Sequence, residues 1–261
     1  MPKAHVNDID LYYESTGQGQ PVLLIHGLGS SARDWEPQTE AFSPLYRVVT
    51  FDVRGHGQSD KPPGPYSIPL FAVDTADLIR SLGIGPSHVV GISMGGMIAF
   101  QLAVSSPDLV KSLVIVNSGP EMIVRTFQDR LRVFQRSLLA QIFGIRKIGE
   151  FLGPRLFPKP EQESMRQMFI ERWAENDQRA YLDAFRGLLG WSISDLLHTI
   201  ICPTLVIASD EDYTPVSTKE AYVDRLRQGE LVVIQDARHA VTIERPQEFN
   251  KAVLDFLSRQ I

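Results

Sequence analysis

Ser93 is the residue whose type and surroundings point most directly to chemistry. It lies in the pentapeptide Gly91-Ile92-Ser93-Met94-Gly95, between a short β-branched stretch and an apolar stretch with helical character. A serine held between a buried strand and a buried helix must lie on a tight turn, which strains its backbone and exposes its hydroxyl group. The pattern Gly-x-Ser-x-Gly also occurs by chance, so by itself it is equally compatible with a simple strand-to-helix turn.

Two later segments could supply an acid and a base to this serine. His239 follows the last apolar strand-like stretch, and both Asp210 and Asp212 follow the stretch before it. The order along the chain is therefore serine, acid, histidine. Each of these residues comes after the carboxyl end of a predicted strand, so we expect them to converge on one edge of a sheet.

Stretches typical of buried strands alternate with stretches typical of helices over most of the chain. Strands are predicted at 9–14, 22–25, 47–51, 88–90, 110–117, 204–208 and 231–234. Helices are predicted at 35–42, 68–82, 94–104, 219–226 and 247–257. This alternation predicts an α/β fold with a mostly parallel central sheet that helices cover on both faces.

The strand pattern is interrupted between residues 121 and 195. Apolar residues recur there at helical spacing, so we expect a helical insertion, with 1–120 and 196–261 forming the core domain. The insertion carries ten arginines, which could simply form a solvated face. Alternatively, one of them points inward and pairs with a carboxylate of the substrate.

Composition argues against several other classes of protein. Over 261 residues, a hydrophobic share of 43% and a charged share of 22% are ordinary for a globular protein. The net charge of −5 and the lack of a basic run argue against nucleic-acid binding. The single cysteine, Cys202, cannot form an internal disulfide, and no apolar run reaches membrane-spanning length. Residues 1–8 contain no apolar signal-peptide region, so we expect a cytoplasmic protein.

Taken together, the motifs resemble those of the α/β-hydrolase superfamily. The matching segments are His26-Gly27-Leu28-Gly29, Asp52-Val53-Arg54-Gly55-His56-Gly57-Gln58-Ser59, Gly91-Ile92-Ser93-Met94-Gly95-Gly96, Asp212-Tyr213-Thr214-Pro215, and His239 with Glu244-Arg245-Pro246. The resemblance covers essentially the whole chain and implies an α/β-hydrolase fold. Residues 121–195 stand at the position of the family's variable helical cap, or lid.

The resemblance implies a catalytic triad in a serine hydrolase. Ser93 would be the nucleophile, and His239 would accept its proton and later deliver it to the leaving group. Asp212 stands three residues before a proline, as the family's acid does, and would orient and stabilise the imidazole. The backbone N–H groups of Leu28 and Met94 would form the oxyanion hole. No cofactor and no metal is implied.

Other polar residues near these loops receive a structural interpretation. Asp210 is the alternative acid, but the family's spacing to the proline favours Asp212, and we interpret Asp210 as a solvated turn residue. Some relatives carry the acid after the earlier strand, where Asn117 cannot be an anion and Glu121 lies too far along the chain. His26 and His56 match positions that are structural in the family.

Comparison within the superfamily favours ester cleavage. Ser93 excludes relatives that use an aspartate nucleophile, such as haloalkane dehalogenases. Leu28 in place of a tryptophan disfavours cofactor-free perhydrolases. A short oxyanion loop and Ala240 after the histidine disfavour carbon–carbon bond hydrolases. The sequence is most similar to carboxylesterases and 3-oxoadipate enol-lactonases.

We therefore predict a serine hydrolase that cleaves small, largely apolar acyl esters or lactones through an acyl-enzyme on Ser93. The alternatives are a lactone hydrolase of the 3-oxoadipate enol-lactonase type, a carbon–carbon bond hydrolase, a cofactor-free perhydrolase and a non-enzymatic binding protein with a hydrolase fold. The expected partner is a small-molecule ester or lactone, with no nucleic acid and no membrane. Monomer and homodimer both remain open.

Overall fold

The computed structural model describes residues 2–260, so residues 1 and 261 of the expected core domain lie outside it. Its strands are β1 (Lys3–Val6), β2 (Ile9–Thr16), β3 (Pro21–Ile25), β4 (Arg47–Phe51), β5 (Ser87–Ile92), β6 (Val110–Val116), β7 (Thr204–Ser209) and β8 (Gly229–Ile234). They form one sheet in the order β1-β2-β4-β3-β5-β6-β7-β8. The β1–β2 and β2–β4 pairs are antiparallel, and every other pair of neighbours is parallel.

Helices connect the parallel strands and cover the sheet. They are α1 (Glu36–Phe42), α2 (Ile68–Ser81), α3 (Met94–Ser105), α4 (Phe127–Leu156), α5 (Glu163–Ala174), α6 (Gln178–Leu188), α7 (Val216–Val223), α8 (Val241–Glu244) and α9 (Pro246–Leu257). Among residues 2–260, no helix combines the length and the apolar character needed to span a bilayer.

The central strands divide the hydrophobic core into two layers. Neighbouring residues of a strand point to opposite faces, so Leu23 and Ile25 join one layer while Val22 and Leu24 join the other. The first layer packs against α2, α3 and α7, and the second packs against α1 and α9. Because both faces are buried, these strands are continuous apolar runs rather than alternating ones. The predicted α/β fold, with a mostly parallel sheet covered on both faces, is confirmed.

The edge strand β1 is absent from the prediction. It is only four residues long, and it buries Ala4 and Val6 while its alternate residues are exposed. Asn7 and Asp8, with φ of 46° and 59°, join it to β2 in a two-residue turn. Positive φ at both central residues is the geometry that allows a tight hairpin. The pair Asn7-Asp8 was therefore the sequence signal for this strand.

Between β6 and β7 the chain leaves the sheet as a helical segment, residues 121–195, that contains α4, α5 and α6. Its two ends meet in a short bridge between Glu121 and Ser192. The long helix α4 is interrupted at Gly144, whose φ of 79° is not helical. Trp173 and Tyr181 are buried in a separate small core inside the segment. The segment therefore packs partly on itself.

A buried ion pair fixes the loop after β4 to helix α2. Arg54 Nε and Nη2 donate to Asp74 Oδ2 and Oδ1 at 2.6 and 2.7 Å, and the two side chains are 9% and 1% exposed. Asn7 Nδ2 donates to Asp74 Oδ1 as well, at 2.7 Å. Removing one partner would leave a buried, uncompensated charge.

We expect Asp74→Ala to lower the free energy of unfolding by about 3–5 kcal/mol, because Arg54 would remain buried without its carboxylate. The matched control is Asp77→Ala on the same helix. Asp77 pairs with Arg80 at the surface, where its side chain is 37% exposed, so its loss should cost less than about 1 kcal/mol. Urea unfolding of both variants measures the difference. Equal losses would show that the buried pair contributes no more than a surface one.

Candidate active site

Ser93 occupies a strained turn between β5 and α3. Its φ of 55° and ψ of −117° lie outside the backbone regions that residues other than glycine normally adopt. The flanking glycines allow this turn. A Cβ on Gly91 would lie 2.2 Å from the Gly95 carbonyl oxygen, and a Cβ on Gly95 would lie 2.1 Å from the Ile25 carbonyl oxygen. A residue larger than glycine at either position would therefore push β3, β5 and α3 apart.

Hydrogen bonds from β6 and the loop after it hold the turn in place. The Ser93 N–H donates to the Val116 carbonyl at 3.0 Å. The Ser118 hydroxyl donates to the Ser93 carbonyl at 2.7 Å. A Cβ on Gly96 would lie 2.5 Å from the Ser118 Cβ, so this contact also requires glycine. The backbone on both sides of Ser93 is thus fixed to the neighbouring strand.

Asp212 and His239 meet at the carboxyl ends of β7 and β8. His239 Nδ1 lies 2.6 Å from Asp212 Oδ1. The second carboxylate oxygen, Oδ2, accepts from Lys219 Nζ at 2.6 Å, and both of these side chains are 1% exposed. Lys219 also donates to the Thr214 carbonyl at 2.7 Å. Asp212 therefore uses one oxygen for the imidazole and one for a buried ammonium.

These partners keep Asp212 ionised. Burial by itself would raise the pKa of its carboxyl group. The hydrogen bond and charge of His239, together with those of Lys219, outweigh burial and hold the pKa well below its usual range. Lys219 was not among the predicted site residues, because a single lysine in a helix normally faces solvent.

Asn117 fixes the loop that carries His239. Its Nδ2 donates to the carbonyl oxygens of Arg238 and His239, each at 3.1 Å, and to Ser209 Oγ at 2.8 Å. Its Oδ1 accepts from the Ser209 N–H at 2.9 Å. Asn117 thus joins the ends of three strands. A polar residue directly after an apolar strand was the available signal for this role.

Asp210 and Glu211 make different contacts from Asp212, although all three share one loop. Asp210 accepts from the N–H groups of Asp236 and Ala237, both at 3.1 Å, and Glu211 pairs with Arg238. Asp210 thus stabilises the turn after β8, whereas Asp212 contacts the imidazole.

The loop after β3 approaches Ser93 from the other side. A Cβ on Gly27 would lie 3.4 Å from Ser93 Cβ and 4.0 Å from Ser93 Oγ. Leu28 follows directly and lines the same cavity as Ser93. Met94 is fully buried behind the turn and begins α3, where N–H groups have no intrahelical acceptor. Leu28 and Met94 are thus the residues that directly follow Gly27 and Ser93 in the chain.

Two buried histidines support this loop. The rings of His26 and His56 lie 5.1 Å apart. His26 Nε2 accepts from the Val53 N–H at 2.9 Å, so the proton of the neutral ring is on Nδ1, which donates to the Gly27 carbonyl at 2.8 Å. Burial lowers the pKa of His26 to about 4 and that of His56 to about 3. Both rings are uncharged near pH 7.

The side chains of Ser93, Asp212, His239 and Leu28 line one cavity of about 600 Å³. Both the sheet edge and the helical segment contribute to its walls, which are largely apolar. The apolar walls include Met97, Met122, Leu152, Leu156, Phe169, Trp173, Phe185 and Leu188. Tyr213 also lines the cavity, and its ring stacks on the His239 ring with centroids 4.4 Å apart.

Within residues 2–260, the structure contains no group of three or more His, Cys, Asp or Glu residues arranged to hold a metal ion. The imidazole of His239, which lines the cavity with Ser93, can take a proton from a hydroxyl, and the Asp212 carboxylate can stabilise the resulting positive charge. These are the requirements of acyl transfer to a serine.

Comparison with known proteins gives consistent results. Residues 22–252 match the profile described as the Alpha/beta hydrolase family. The (E)-2-((N-methylformamido)methylene)succinate hydrolase of Acinetobacter baylyi is 33% identical over 264 residues, which cover 96% of this chain and 95% of the relative.

Two solved structures share the whole fold. The enol-lactonase from Burkholderia xenovorans LB400 matches with a TM-score of 0.91 at 26% identity, over 98% of this chain and 100% of that chain. A thermophilic esterase from Thermogutta terrifontis, solved with malate bound, matches with a TM-score of 0.91 at 27% identity, over 99% and 98% of the two chains. The names of these three proteins are those of hydrolytic enzymes, which supports hydrolase activity here.

The strain at Ser93 predicts an unusual order of stability. We expect the free energy of unfolding of Ser93→Gly to be about 1 kcal/mol higher than that of Ser93→Ala. Glycine relieves the backbone strain at positive φ, and this gain outweighs the larger conformational entropy that glycine has in the unfolded chain. Urea unfolding measures this difference. In the interior of α4, where the backbone is helical, Ser137→Gly should instead be less stable than Ser137→Ala by about 1 kcal/mol. The same order at both positions would contradict strain at Ser93.

Proposed function

The chain belongs to the alpha/beta hydrolase family, and we propose that it is a serine hydrolase that cleaves carboxylic esters through an acyl-enzyme on Ser93. One observation carries the proposal. Ser93 lies on a strained turn and lines the same cavity as His239. The ionised carboxylate of Asp212 holds the His239 ring through Nδ1. A serine hydroxyl is a weak nucleophile, and an imidazole oriented in this way is the group that activates it.

In the first half-reaction, His239 Nε2 accepts the proton of Ser93 Oγ while Oγ forms a bond to the carbonyl carbon of the ester. The carbonyl oxygen becomes an oxyanion, and the N–H groups of Leu28 and Met94 donate hydrogen bonds to it. The bond between the carbon and the leaving oxygen then breaks. The imidazolium gives its proton to that oxygen, which leaves as an alcohol.

In the second half-reaction, water attacks the acyl-enzyme. His239 accepts a proton from the water as its oxygen bonds to the acyl carbon, and a second oxyanion forms in the same place. The bond from the carbon to Ser93 Oγ breaks, and His239 returns the proton to Oγ. The acid is released, and the enzyme regains its starting state. No cofactor or metal takes part in this sequence.

Asp212 acts on both half-reactions through the imidazole. The 2.6 Å contact to Nδ1 fixes the tautomer that leaves Nε2 free to accept a proton. Its negative charge stabilises the imidazolium that forms twice in each turnover. The Asp210 carboxylate instead accepts from the backbone of the turn after β8, which supports Asp212 as the acid.

We further propose that the helical segment is a cap on the core formed by 1–120 and 196–261. Its side chains supply part of the cavity wall, including Leu152, Phe169 and Trp173. An apolar cavity of about 600 Å³ suits a small, largely apolar acyl group better than a long polar chain.

A lactone is the second candidate substrate, because the enol-lactonase structure superimposes on essentially the whole chain. The same steps apply, except that the leaving oxygen stays attached to the acyl group. The names of two neighbours also mention a succinate derivative and malate, which are dicarboxylates. They favour a substrate with a second carboxylate.

We expect Ser93→Ala to keep the fold and lose about 10⁴-fold or more in turnover of p-nitrophenyl butyrate, because the nucleophile is removed. Circular dichroism provides the control for folding. A serine-directed phosphonate should label the wild-type protein at Ser93 alone, as mass spectrometry of peptides would show. Labelling elsewhere, or full activity in the variant, would exclude the acyl-enzyme on Ser93.

The two neighbouring carboxylates allow a matched test of the acid. Asp212→Asn should lower kcat by as much as about 10⁴-fold, because the imidazolium loses its counter-charge and the wrong tautomer is favoured. Asp210→Asn keeps an acceptor for the backbone of the turn after β8 and should lower kcat by less than about tenfold, as expected of a turn residue that does not contact the imidazole. Both are measured at one pH near 8.

Thermal unfolding is the control for these two variants, since Asp212→Asn also leaves buried Lys219 without its charged partner. If the folded Asp212→Asn protein stays active while Asp210→Asn is crippled, the assignment of the acid is wrong.

A further inference from the structure

Arg136, on helix α4, lines the cavity that contains Ser93. Its Nε donates to the Tyr181 hydroxyl oxygen at 2.9 Å, and its guanidinium carbon lies 4.8 Å from the centroid of the Phe185 ring. The hydrogen bond and the ring fix the plane of the guanidinium group. The two terminal nitrogens, which together can bind both oxygens of a carboxylate, are not used by these contacts.

The other arginines of the helical segment have different surroundings. Six of them pair with a carboxylate of the protein: Arg125, Arg132, Arg166, Arg172, Arg179 and Arg186. Arg130, Arg146 and Arg155 are exposed. Arg136 is half-buried, and among residues 2–260 no carboxylate oxygen lies within 4.0 Å of its side-chain nitrogens.

The acidic groups of the cavity do not compensate this charge, because each of them already has a cationic partner. The pairs are Asp34 with Arg172 at 2.6 Å, Glu121 with Arg125 at 2.7 Å, and Asp212 with Lys219 at 2.6 Å. A half-buried guanidinium against aromatic rings, without a counter-ion from the protein, attracts an anion into the cavity.

We infer that the substrate carries a free carboxylate, remote from the bond that is cleaved, and that Arg136 binds it through its two terminal nitrogens. The substrate class is then a half-ester or a lactone of a dicarboxylic acid. This inference rests on the proposed function, because it assumes that the cleaved bond is presented to Ser93. Arg136 is a specificity-determining residue here and takes no part in the proton transfers.

A pair of matched substrates tests the inference. The mono-p-nitrophenyl ester of glutarate ends in a carboxylate, and p-nitrophenyl 5-methylhexanoate places an uncharged isopropyl group at the same position. The wild-type enzyme should have the higher kcat/KM for the glutarate ester. In Arg136→Met, kcat/KM for the glutarate ester should fall about 10-fold to 100-fold, mostly through KM, with less than about 3-fold change for the neutral ester.

Two further variants control for charge and for folding. Arg132→Met removes an arginine from the same helix whose side chain is 76% exposed, and it should leave the preference unchanged. Arg136→Lys keeps the positive charge but loses the two terminal nitrogens, so part of the preference should return. Because Arg136 also holds Tyr181, the thermal midpoints of all variants are compared with wild type.

A binding measurement separates this inference from the proposed mechanism. Calorimetry with glutarate, which has no ester to cleave, uses the Ser93→Ala protein with and without Arg136→Met. The added substitution should weaken glutarate binding by about tenfold or more.

The inference is overturned if wild type does not prefer the glutarate ester, or if Arg136→Met lowers kcat/KM equally for both esters. It is also overturned if Arg136→Met leaves glutarate binding unchanged. If hydrolysis survives in Ser93→Ala, the proposed mechanism fails, and the calorimetry still decides whether Arg136 binds the carboxylate.

Discussion

The close approach of three backbone segments around Ser93 is the constraint on which the rest of the site depends. The ends of β3 and β5 and the start of α3 come so near that a Cβ at Gly91 or Gly95 would collide with a carbonyl oxygen. The tight approach forces positive φ on Ser93 and projects its side chain from the sheet edge. Such strain persists only where the surrounding structure over-determines it. Here the strands on both sides of β5 are buried on both faces, and they supply that rigidity.

A second constraint on the site is the charge of a buried carboxylate, Asp212. Asp212 is buried, and an isolated carboxylate there would favour its neutral form. The contacts with His239 and Lys219 reverse that preference, so the anion is kept in place. The positive charge of Lys219 also offsets part of the field that Asp212 exerts on the imidazole, so it weakens the stabilisation of a charged His239 ring. The electrostatic balance of the site thus depends on a residue on α7 that does not line the cavity.

The parts of the structure that could be predicted are those with a strong local signal. The buried strands were predictable because a strand covered on both faces must be apolar throughout, and the turn at Ser93 because only glycine fits at Gly91 and Gly95. Lys219 lies only seven residues from Asp212, but it was not predictable as a support because a lone lysine in a helix normally faces solvent. Asn117 could be noticed as a polar residue after an apolar strand, but its partners lie 92 to 122 residues later and only folding brings them together. The edge strand β1 was missed because four residues carry too little periodicity to stand out. The expectation that some inward arginine exists could be stated from the sequence, but not that it would be Arg136.

Arg136 could not be singled out from the sequence, for a physical reason that applies to the whole helical segment. The spacing of residues along a helix shows which of them share a face. The direction in which that face points depends on how the helix packs against its neighbours. In α4 the break at Gly144 reorients the second half of the helix, and the bridge between Glu121 and Ser192 fixes where the segment leaves the core. The ten arginines of the segment therefore end in different environments: paired, solvated or, for Arg136, against Phe185 in the cavity. The sheet edge constrains the reacting atoms through backbone contacts that tolerate little change. The helical segment contributes side chains to the same cavity, so substitutions there can alter which molecule fits without disturbing the backbone at Ser93.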